Sequence, residues 1–349
     1  MSVTDPTPFS GSAGTADDKL VAEIETLAER LRLVRDRVGR VIFGQEHVVD
    51  QAVITLLGGG HCLLIGVPGL AKTKLVETLG VVLGLEGRRI QFTPDLMPSD
   101  ILGSEVMEQG ETGRRSFRFI KGPIFAQLLM ADEINRASPR TQSALLQAMQ
   151  EREVTIAGQH RPLGAPFHVL ATQNPIEQEG TYPLPEAQLD RFLVQIDVDY
   201  PDRETERAIL LATTGSEDVG VSAIFAADEL IAAQALIRRM PVGESVVGAI
   251  LDLVRACRPG GADADASLGD SLSWGPGPRA AQALMLAVRS RALIAGRLAP
   301  SAEDVAALAR PVLTHRMALS FAARARGEDL GAIIDRVAGR VTGSTEAAA

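Results

Sequence analysis

A glycine-rich loop between an apolar segment and a helical stretch has the residue types needed to bind phosphate. The run Gly66-Val67-Pro68-Gly69-Leu70-Ala71-Lys72-Thr73 follows the apolar residues 61–65 and precedes a predicted helix from Lys74 to Leu83. Glycines let backbone N–H groups turn toward phosphate oxygens, and a helix N-terminus adds partial positive charge. In a P-loop of this kind, Lys72 neutralises the β- and γ-phosphates and Thr73 ligates magnesium. We therefore assign nucleotide contacts to Gly66, Pro68, Gly69, Leu70, Ala71, Lys72, Thr73 and Lys74.

One position of this loop departs from the common P-loop pattern. Ala71 stands where glycine usually precedes the lysine. A residue with a Cβ atom avoids the left-handed region, so we expect a negative φ at Ala71. An ordinary Gly/Pro turn between a strand and a helix is the alternative interpretation of the loop.

A pair of carboxylates follows a second apolar strand. Residues 128–131 are apolar and end at Asp132 and Glu133. Ligands bind at the carboxyl ends of parallel strands, so this pair is expected beside the phosphate loop. There Asp132 would hold magnesium, and Glu133 would orient and deprotonate the attacking water. The alternative is a helix-capping aspartate, but Asn135 and Ser138 are better placed to cap the next helix.

A third apolar strand ends at a polar side chain. Residues 168–172 lead into Gln173-Asn174-Pro175. If this strand lies between the other two, Asn174 could bond the attacking water or the γ-phosphate. An Asn-Pro pair alone would indicate only a turn.

Two arginines stand at the ends of predicted elements. Arg191 follows Asp190 just before the last strand, and Arg279 follows Pro278 at the start of a later helix. A guanidinium from outside the P-loop can stabilise the charge that develops during phosphoryl transfer. The pattern by itself does not separate these arginines from ordinary surface arginines.

The elements around these residues alternate between strands and helices. Such alternation predicts a parallel sheet covered on both faces by helices. The candidate strands are His61–Ile65, Arg89–Phe92, Gln127–Ala131, Phe167–Ala171 and Val194–Val198.

The pattern divides the chain into an α/β core and a helical part. We expect a disordered lead over 1–18, an α/β nucleotide-binding core over 19–201, a helical domain over 202–340 and a disordered tail over 341–349. The core would begin with one amphipathic helix from Lys19 to Arg40. In the helical domain, Pro276 and Pro278 suit a first turn, and Ser301 with Asp304 matches a capping box.

Composition narrows the classes of function. With 35 basic and 44 acidic residues the net charge is −9, which opposes diffuse attraction to nucleic acid or anionic lipid. No apolar run approaches the ~18 residues that cross a bilayer, and the N-terminus lacks a leader pattern, so a cytoplasmic location is expected. Cys62 and Cys257 lie in apolar runs, which predicts buried thiols and neither a disulfide nor a metal site.

The ordered motifs closely resemble the MoxR family of AAA+ ATPases over roughly Val38 to Ala318. Alanine before the P-loop lysine is usual in that family. The matching segments are the loop 66–73, Asp132-Glu133-Ile134-Asn135-Arg136-Ala137, Ala171-Thr172-Gln173-Asn174-Pro175 and Leu184-Pro185-Glu186-Ala187-Gln188-Leu189-Asp190-Arg191-Phe192.

The resemblance implies a role for each matching residue, with ATP and Mg²⁺ as cofactors. Lys72 and Thr73 would be Walker A residues and Asp132 and Glu133 Walker B residues. Asn174 would be sensor 1, Arg191 the arginine finger of a neighbouring subunit, and Arg279 sensor 2. Gly44 and Gln45 would lie against the adenine.

The resemblance also implies an architecture and a mode of action. The fold would be an AAA+ P-loop core with a five-stranded parallel sheet, two hairpin inserts and a separate all-helical lid domain, assembled as a hexameric ring. The candidate hairpins lie within 101–125, around a turn at 110–113, and within 153–166, around Gly158. MoxR-like proteins commonly act with partners that carry von Willebrand factor A domains, so ATP hydrolysis would drive chaperone-like remodelling of such a protein.

Two other functions compete with remodelling. A nucleic-acid motor would use basic and aromatic residues of the first hairpin, although Glu105, Glu108 and Glu111 nearly cancel their charge. Those residues are Arg114, Arg115, Arg118 and Lys121, with Phe117 and Phe119 between them. A nucleotide-binding scaffold that does not hydrolyse ATP is disfavoured, because such a scaffold has no use for the water-activating carboxylate of Glu133.

Overall fold

The computed structural model of the protein describes residues 13–109, 115–177, 180–214 and 220–343. Most of the expected lead, the end of the expected tail, the expected turn at 110–113, Glu111 and Arg114 lie outside the described residues. Residues 13–18, assigned to a disordered lead from the sequence, instead belong to the first helix, and the last helix continues to Thr342.

The centre of the molecule is a parallel sheet. Its strands are β1 (Cys62–Ile65), β2 (Gly87–Gln91), β5 (Leu128–Asp132), β8 (His168–Gln173) and β9 (Val194–Asp197). They lie in the order β2-β5-β8-β1-β9 and all neighbouring pairs are parallel. The five predicted strands and the parallel sheet are thus confirmed, and β8 lies between β5 and β1 as the site requires.

Alternate residues of the strands supply two apolar cores, one on each face of the sheet. On β1, Leu64 belongs to one core and Leu63 to the other. Leu170 and Val169 divide in the same way on β8. A parallel sheet buried on both faces needs such continuous apolar strands, which explains why their sequences do not alternate with polar residues.

Helices cover both faces and continue into the lid. The core contains α1 (Ala13–Gly39), α2 (Glu46–Leu57), α3 (Lys72–Val82), α4 (Pro98–Leu102), α5 (Pro139–Glu151) and α6 (Glu186–Leu189). After the sheet come α7 (Arg203–Thr214), α8 (Ala227–Arg239), α9 (Glu244–Ala256), α10 (Pro278–Ile294), α11 (Ala302–Leu313), α12 (Phe321–Ala325) and α13 (Leu330–Thr342).

Two antiparallel hairpins project from the core, as predicted. The first consists of β3 (Gly103–Gln109) and β4 (Arg115–Lys121), and the second of β6 (Glu153–Ile156) and β7 (Gln159–Pro162). The second hairpin turns at Ala157 and Gly158, with φ of +49° and +78°. Positive φ at both turn residues suits the twist of a tight hairpin.

In the lid, the described residues are helical except for loops and one short antiparallel pair, β10 (Leu272–Trp274) with β11 (Ala318–Leu319), which the sequence pattern did not reveal. The capping box at α11 is confirmed, because the Ser301 N–H donates to Asp304 Oδ2 at 2.8 Å. Pro278 occupies the first turn of α10, whereas Pro276 precedes that helix.

Within the described ranges, no helix is both long and apolar enough to cross a membrane. Cys62 and Cys257 are buried free thiols.

Candidate active site

The carboxyl ends of β1, β5 and β8 meet the N-terminus of α3 at one pocket. This convergence follows from the strand order, since the three strands are neighbours in the sheet. The pocket has a volume of about 430 Å³, and its lining comprises Pro68, Gly69, Leu70, Ala71, Lys72, Thr73, Lys74, Arg89, Gln91, Asp132, Glu133, Thr172 and Asn174.

The loop after β1 depends on backbone conformations and clearances that glycine provides. A Cβ atom at Gly66 would lie 2.5 Å from the carbonyl oxygen of Val198, so no larger residue fits there. Gly69 has a φ of +89°, which only glycine adopts readily. The loop therefore passes close to β9 and then turns into the first turn of α3.

Ala71 corrects the expectation of a negative φ. It lies in the left-handed region, with a φ of +55°, as the residue that caps α3. The loop must reverse direction immediately before Lys72 starts the helix, and that reversal sets φ whatever residue stands there. The methyl group of alanine is tolerated at a cost of about 1–2 kcal/mol.

Lys72 lies at the first residue of α3, with its ammonium group over the loop. Its Nζ donates to the carbonyl oxygen of Val67 at 3.0 Å and also to that of Gly66. Burial lowers the pKa of Lys72, and the neighbouring carboxylates of Asp132 and Glu133 oppose that shift. The structure thus brings the P-loop lysine and the predicted acidic pair together.

Thr172 joins the two carboxylate residues from the next strand. Its hydroxyl donates to Asp132 Oδ1 at 2.6 Å and accepts the backbone N–H of Glu133 at 2.8 Å. Thr172 is 1% exposed, so both bonds are shielded from water. The end of β5 is therefore held in one conformation by β8.

Glu133 is in a strained conformation at the end of β5. Its φ is +56°, a region that a non-glycine residue occupies at a cost. Its Oε2 accepts from Gln91 Nε2 at 2.8 Å and from Arg136 Nη1 at 3.1 Å. Strain of this kind is common at active sites, where the surrounding bonds hold a residue in an unfavourable conformation.

The expected capping role of Ser138 is observed at the start of α5, since its hydroxyl accepts the Thr141 N–H.

Asn174 follows β8 and lines the same pocket. It is 6% exposed, and its Oδ1 accepts the backbone N–H of Ile176 at 3.1 Å. That bond fixes the side chain after the strand and leaves the amide nitrogen as the group that can donate to a ligand.

The structure places Arg191 and Arg279 beside each other rather than in the lining of this pocket. Burial and the nearby charge of Arg279 both lower the pKa of Arg191. Arg279 lies 3.9 Å from Asp190, and Asp190 in turn accepts from Arg316 Nε at 2.8 Å. Arg316 is 2% exposed and comes from the lid, so the segment that carries Arg191 is tied directly to the lid.

Gly44 and Gln45 also lie outside the pocket lining, at the N-terminus of α2. Gly44 has a φ of +63°, and a Cβ atom there would collide with Thr205 of α7 at 2.4 Å. Gln45 is buried. The two residues therefore lie where the core meets α7.

Sequence reasoning did not assign a role to four residues that shape the site: Arg89, Gln91, Thr172 and Arg316. The alternate polar positions 89 and 91 on the predicted strand β2 were a usable signal, since they share one face of an edge strand. Thr172 belongs to a recognised motif but has no distinctive spacing. Arg316 shows no signal in the sequence that distinguishes it from other arginines.

The residues present fit a nucleoside triphosphate with magnesium. The loop supplies backbone N–H groups, a helix N-terminus and an ammonium, which together suit phosphate. Thr73 and Asp132 line the same pocket and carry the oxygen donors that Mg²⁺ prefers.

Two segments of the chain match known protein families, and most of its length is similar to known proteins. Residues 61–194 match the ATPase family associated with various cellular activities (AAA), and residues 268–337 match the AAA lid domain. The chain is 42% identical over 321 residues to Chaperone MoxR1 of Mycobacterium tuberculosis, covering 91% of the chain and 82% of that relative. It is 32% identical over 324 residues to Protein MoxR of Paracoccus denitrificans, covering 88% of the chain and 94% of the relative.

A crystal structure has the same fold. The structure of a proposed ATPase from Cytophaga hutchinsonii superposes with a TM-score of 0.82 at 37% identity. The superposition covers 94% of this chain and 98% of that one. The likeness therefore extends over the sheet, the hairpins and the lid.

Proposed function

Because the chain belongs to the MoxR family of AAA+ ATPases, we propose that it hydrolyses ATP to ADP and phosphate and uses the cycle to remodel a protein partner. The observation that supports hydrolysis is the meeting of Lys72, Asp132, Glu133 and Asn174 around one pocket. A carboxylate beside a phosphate-binding loop is what water activation requires.

Each residue of the pocket has a separate task in this proposal. The loop and Lys72 hold the phosphates, and Thr73 and Asp132 would hold magnesium, which neutralises charge on the phosphate oxygens when bound. Glu133 orients the attacking water and takes its proton. Asn174 donates to the water or to the γ-phosphate.

Arg191 and Arg279 complete the proposal from outside the pocket. Arg191 would reach the γ-phosphate bound by a neighbouring subunit of a hexameric ring, since it does not line its own subunit's pocket. Arg279 would respond to the nucleotide through the lid. Gly44 and Gln45 would contact the adenine where α7 meets the core.

The first hairpin supports a protein as the partner. Near its outer end, Met107 on β3 pairs with Phe117 on β4, and these side chains are 55% and 72% exposed. Exposed apolar side chains on a projecting hairpin suit contact with protein. We propose a partner with a von Willebrand factor A domain, on the family resemblance.

The same hairpin argues against a nucleic-acid motor. Arg118 is paired with Glu108 at 2.9 Å, which neutralises its charge. The ring of Phe119 packs edge-on against Phe125 and lies 4.0 Å from the Arg161 guanidinium, so part of the ring is already covered. Phe117 remains exposed, but the paired Arg118 and the partly covered Phe119 leave less basic and aromatic surface than single-stranded nucleic acid needs, so the hairpin favours a protein partner.

Two substitutions test the proposed reaction. Lys72→Ala should abolish ATP binding, because the main positive charge on the phosphates is lost. Glu133→Gln should keep ATP binding and stop turnover, and the trapped protein should co-purify with its partner. Phosphate release at the wild-type rate from the Glu133→Gln protein would contradict the role of Glu133.

A further inference from the structure

Arg89 lines the pocket, but the proposed reaction assigns it no task. It lies on β2, the edge strand, and reaches across to the end of β5. Its Nη2 and Nε atoms donate to Asp132 Oδ2 at 2.6 Å and 3.2 Å. The carboxylate proposed to hold magnesium is therefore already bound by a cation of its own chain.

The two oxygens of Asp132 have different surroundings. Oδ1 accepts the buried Thr172 hydroxyl, whereas Oδ2 faces Arg89. The Asp132 side chain is 12% exposed and that of Arg89 is 50% exposed, so the guanidinium covers the side of the carboxylate that opens to solvent.

A second bond keeps the guanidinium in this position. Arg89 Nη2 also donates to Gln91 Oε1 at 3.1 Å, and Gln91 is itself bonded to Glu133. The guanidinium is thus anchored at two points, although it lies on an exposed edge. An unanchored surface arginine would lose this geometry to side-chain entropy.

We propose that Arg89 is a built-in competitor of Mg²⁺ for Asp132 and so sets the magnesium concentration at which nucleotide binds. A divalent cation and a guanidinium both need the negative charge of Oδ2, and binding of one lowers the affinity for the other. Arg89 acts through Asp132 and is a positioning residue. The inference rests on the proposed nucleotide site.

The neighbouring Arg88 provides a matched control. It is the preceding residue of the same strand and is 60% exposed, but it pairs with Glu86 at 3.0 Å instead of with Asp132. Replacing either arginine with glutamine removes one positive charge from β2. Only Arg89→Gln removes the positive charge that contacts the Asp132 carboxylate.

The test measures nucleotide binding and needs no turnover. Binding of a fluorescent ATP analogue is titrated with Mg²⁺ for the wild type, Arg89→Gln, Arg89→Lys and Arg88→Gln proteins. We expect Arg89→Gln to lower the half-saturating Mg²⁺ concentration by about fivefold, the upper range for an ion pair that is partly exposed. Arg88→Gln should leave the midpoint unchanged, and Arg89→Lys should lie between the wild type and Arg89→Gln.

Three other results would overturn the inference, and they are distinguishable. Equal midpoints for Arg89→Gln and Arg88→Gln would show that Arg89 does not compete with magnesium. Weaker binding of Arg89→Gln in EDTA would show that Arg89 is a phosphate ligand instead. If the wild type binds no nucleotide, or binds it equally after Lys72→Ala, the proposed function itself fails and this inference fails with it.

Discussion

Thr172 is the residue on which the geometry of both carboxylates depends. Its hydroxyl is bonded to the side chain of Asp132 and to the backbone of Glu133, whose φ of +56° is unfavourable without such support. The hydroxyl contacts both residues but is not proposed to contact the reacting phosphate. Its removal should therefore affect catalysis more than binding.

We predict that Thr172→Val lowers kcat about tenfold and leaves the ATP dissociation constant within about twofold. Valine keeps the volume but leaves the Glu133 N–H unsatisfied, a loss of about 1–3 kcal/mol. Single-turnover hydrolysis and equilibrium binding separate the two effects. Thr55→Val is the control, because Thr55 is equally buried but bonds only to the Gln51 carbonyl of its own helix. A larger effect on binding than on kcat would contradict this role.

At the scale of elements, the lid depends on a buried carboxylate at the start of α11. Asp304 is fully buried and accepts from the Ser301 N–H and from Arg297 Nη1, both at 2.8 Å. It also accepts from Arg291 of α10. The bonds lower the pKa of Asp304 although burial raises it. One side chain thus caps α11 and joins it to α10.

We predict that Asp304→Ala lowers the free energy of unfolding of the lid by about 3 kcal/mol, because two arginines and a helix N-terminus lose their common acceptor. Chemical denaturation followed by hydrogen exchange of α10 and α11 would measure the loss. Glu303→Ala, an exposed neighbour in the same first turn, should change stability by less than about 0.5 kcal/mol. Equal effects of the two substitutions would refute the buried network.

At the scale of the whole molecule, buried histidines link the sheet to the helices around it. His61 accepts the Val169 N–H, His168 lies 3.1 Å from Gln234 of α8, and His315 lies 3.0 Å from the Phe192 carbonyl. Burial lowers the pKa of His61 to about 3 and that of His168 to about 4, and it lowers the pKa of His315 well below its usual value.

The lowered pKa values predict acid instability. The unfolded chain binds protons at these histidines below about pH 6.5 while the folded chain does not, so stability is complete above that pH and falls as pH decreases toward the folded pKa values. Between pH 7 and pH 5, His61 and His168 should each cost about 2 kcal/mol of unfolding free energy. Urea denaturation at several pH values across this range measures the unfolding free energy. For His168→Gln, this free energy should fall less steeply with decreasing pH than it does for the wild type.

The position of Arg191 makes the proposed role in a neighbouring subunit testable. Arg191 lies outside its own pocket, and Asp190 beside it is bound by Arg316 of the lid. If Arg191 acts on a neighbouring subunit, specific activity should rise with protein concentration. Mixing inactive Arg191→Ala and Glu133→Gln proteins should restore part of the turnover, because some interfaces then pair an intact Arg191 with an intact Glu133. A verified monomer with full activity would exclude this arrangement.

Local sequence patterns were enough to predict the sheet, the glycine-rich loop and the acidic pair. Apolar strands such as 128–131 and glycines such as Gly66 and Gly69 are local requirements, and a strand-loop-helix motif carries its own geometry. Local reasoning also predicted the Ser301 cap of α11, whereas the two hairpins were expected from the family resemblance.

The contacts between side chains of distant segments became visible only in the folded structure. Strand order placed Arg89 against Asp132, and lid docking placed Arg316 against Asp190, across separations of 43 and 126 residues. Local patterns can show that Arg89 and Gln91 share one face of a strand, but they do not identify the partner, because an arginine on an edge strand or a helix end looks the same whether or not a carboxylate faces it. The φ of Ala71 was likewise set by the path of the loop into α3, which overrode the preference of alanine.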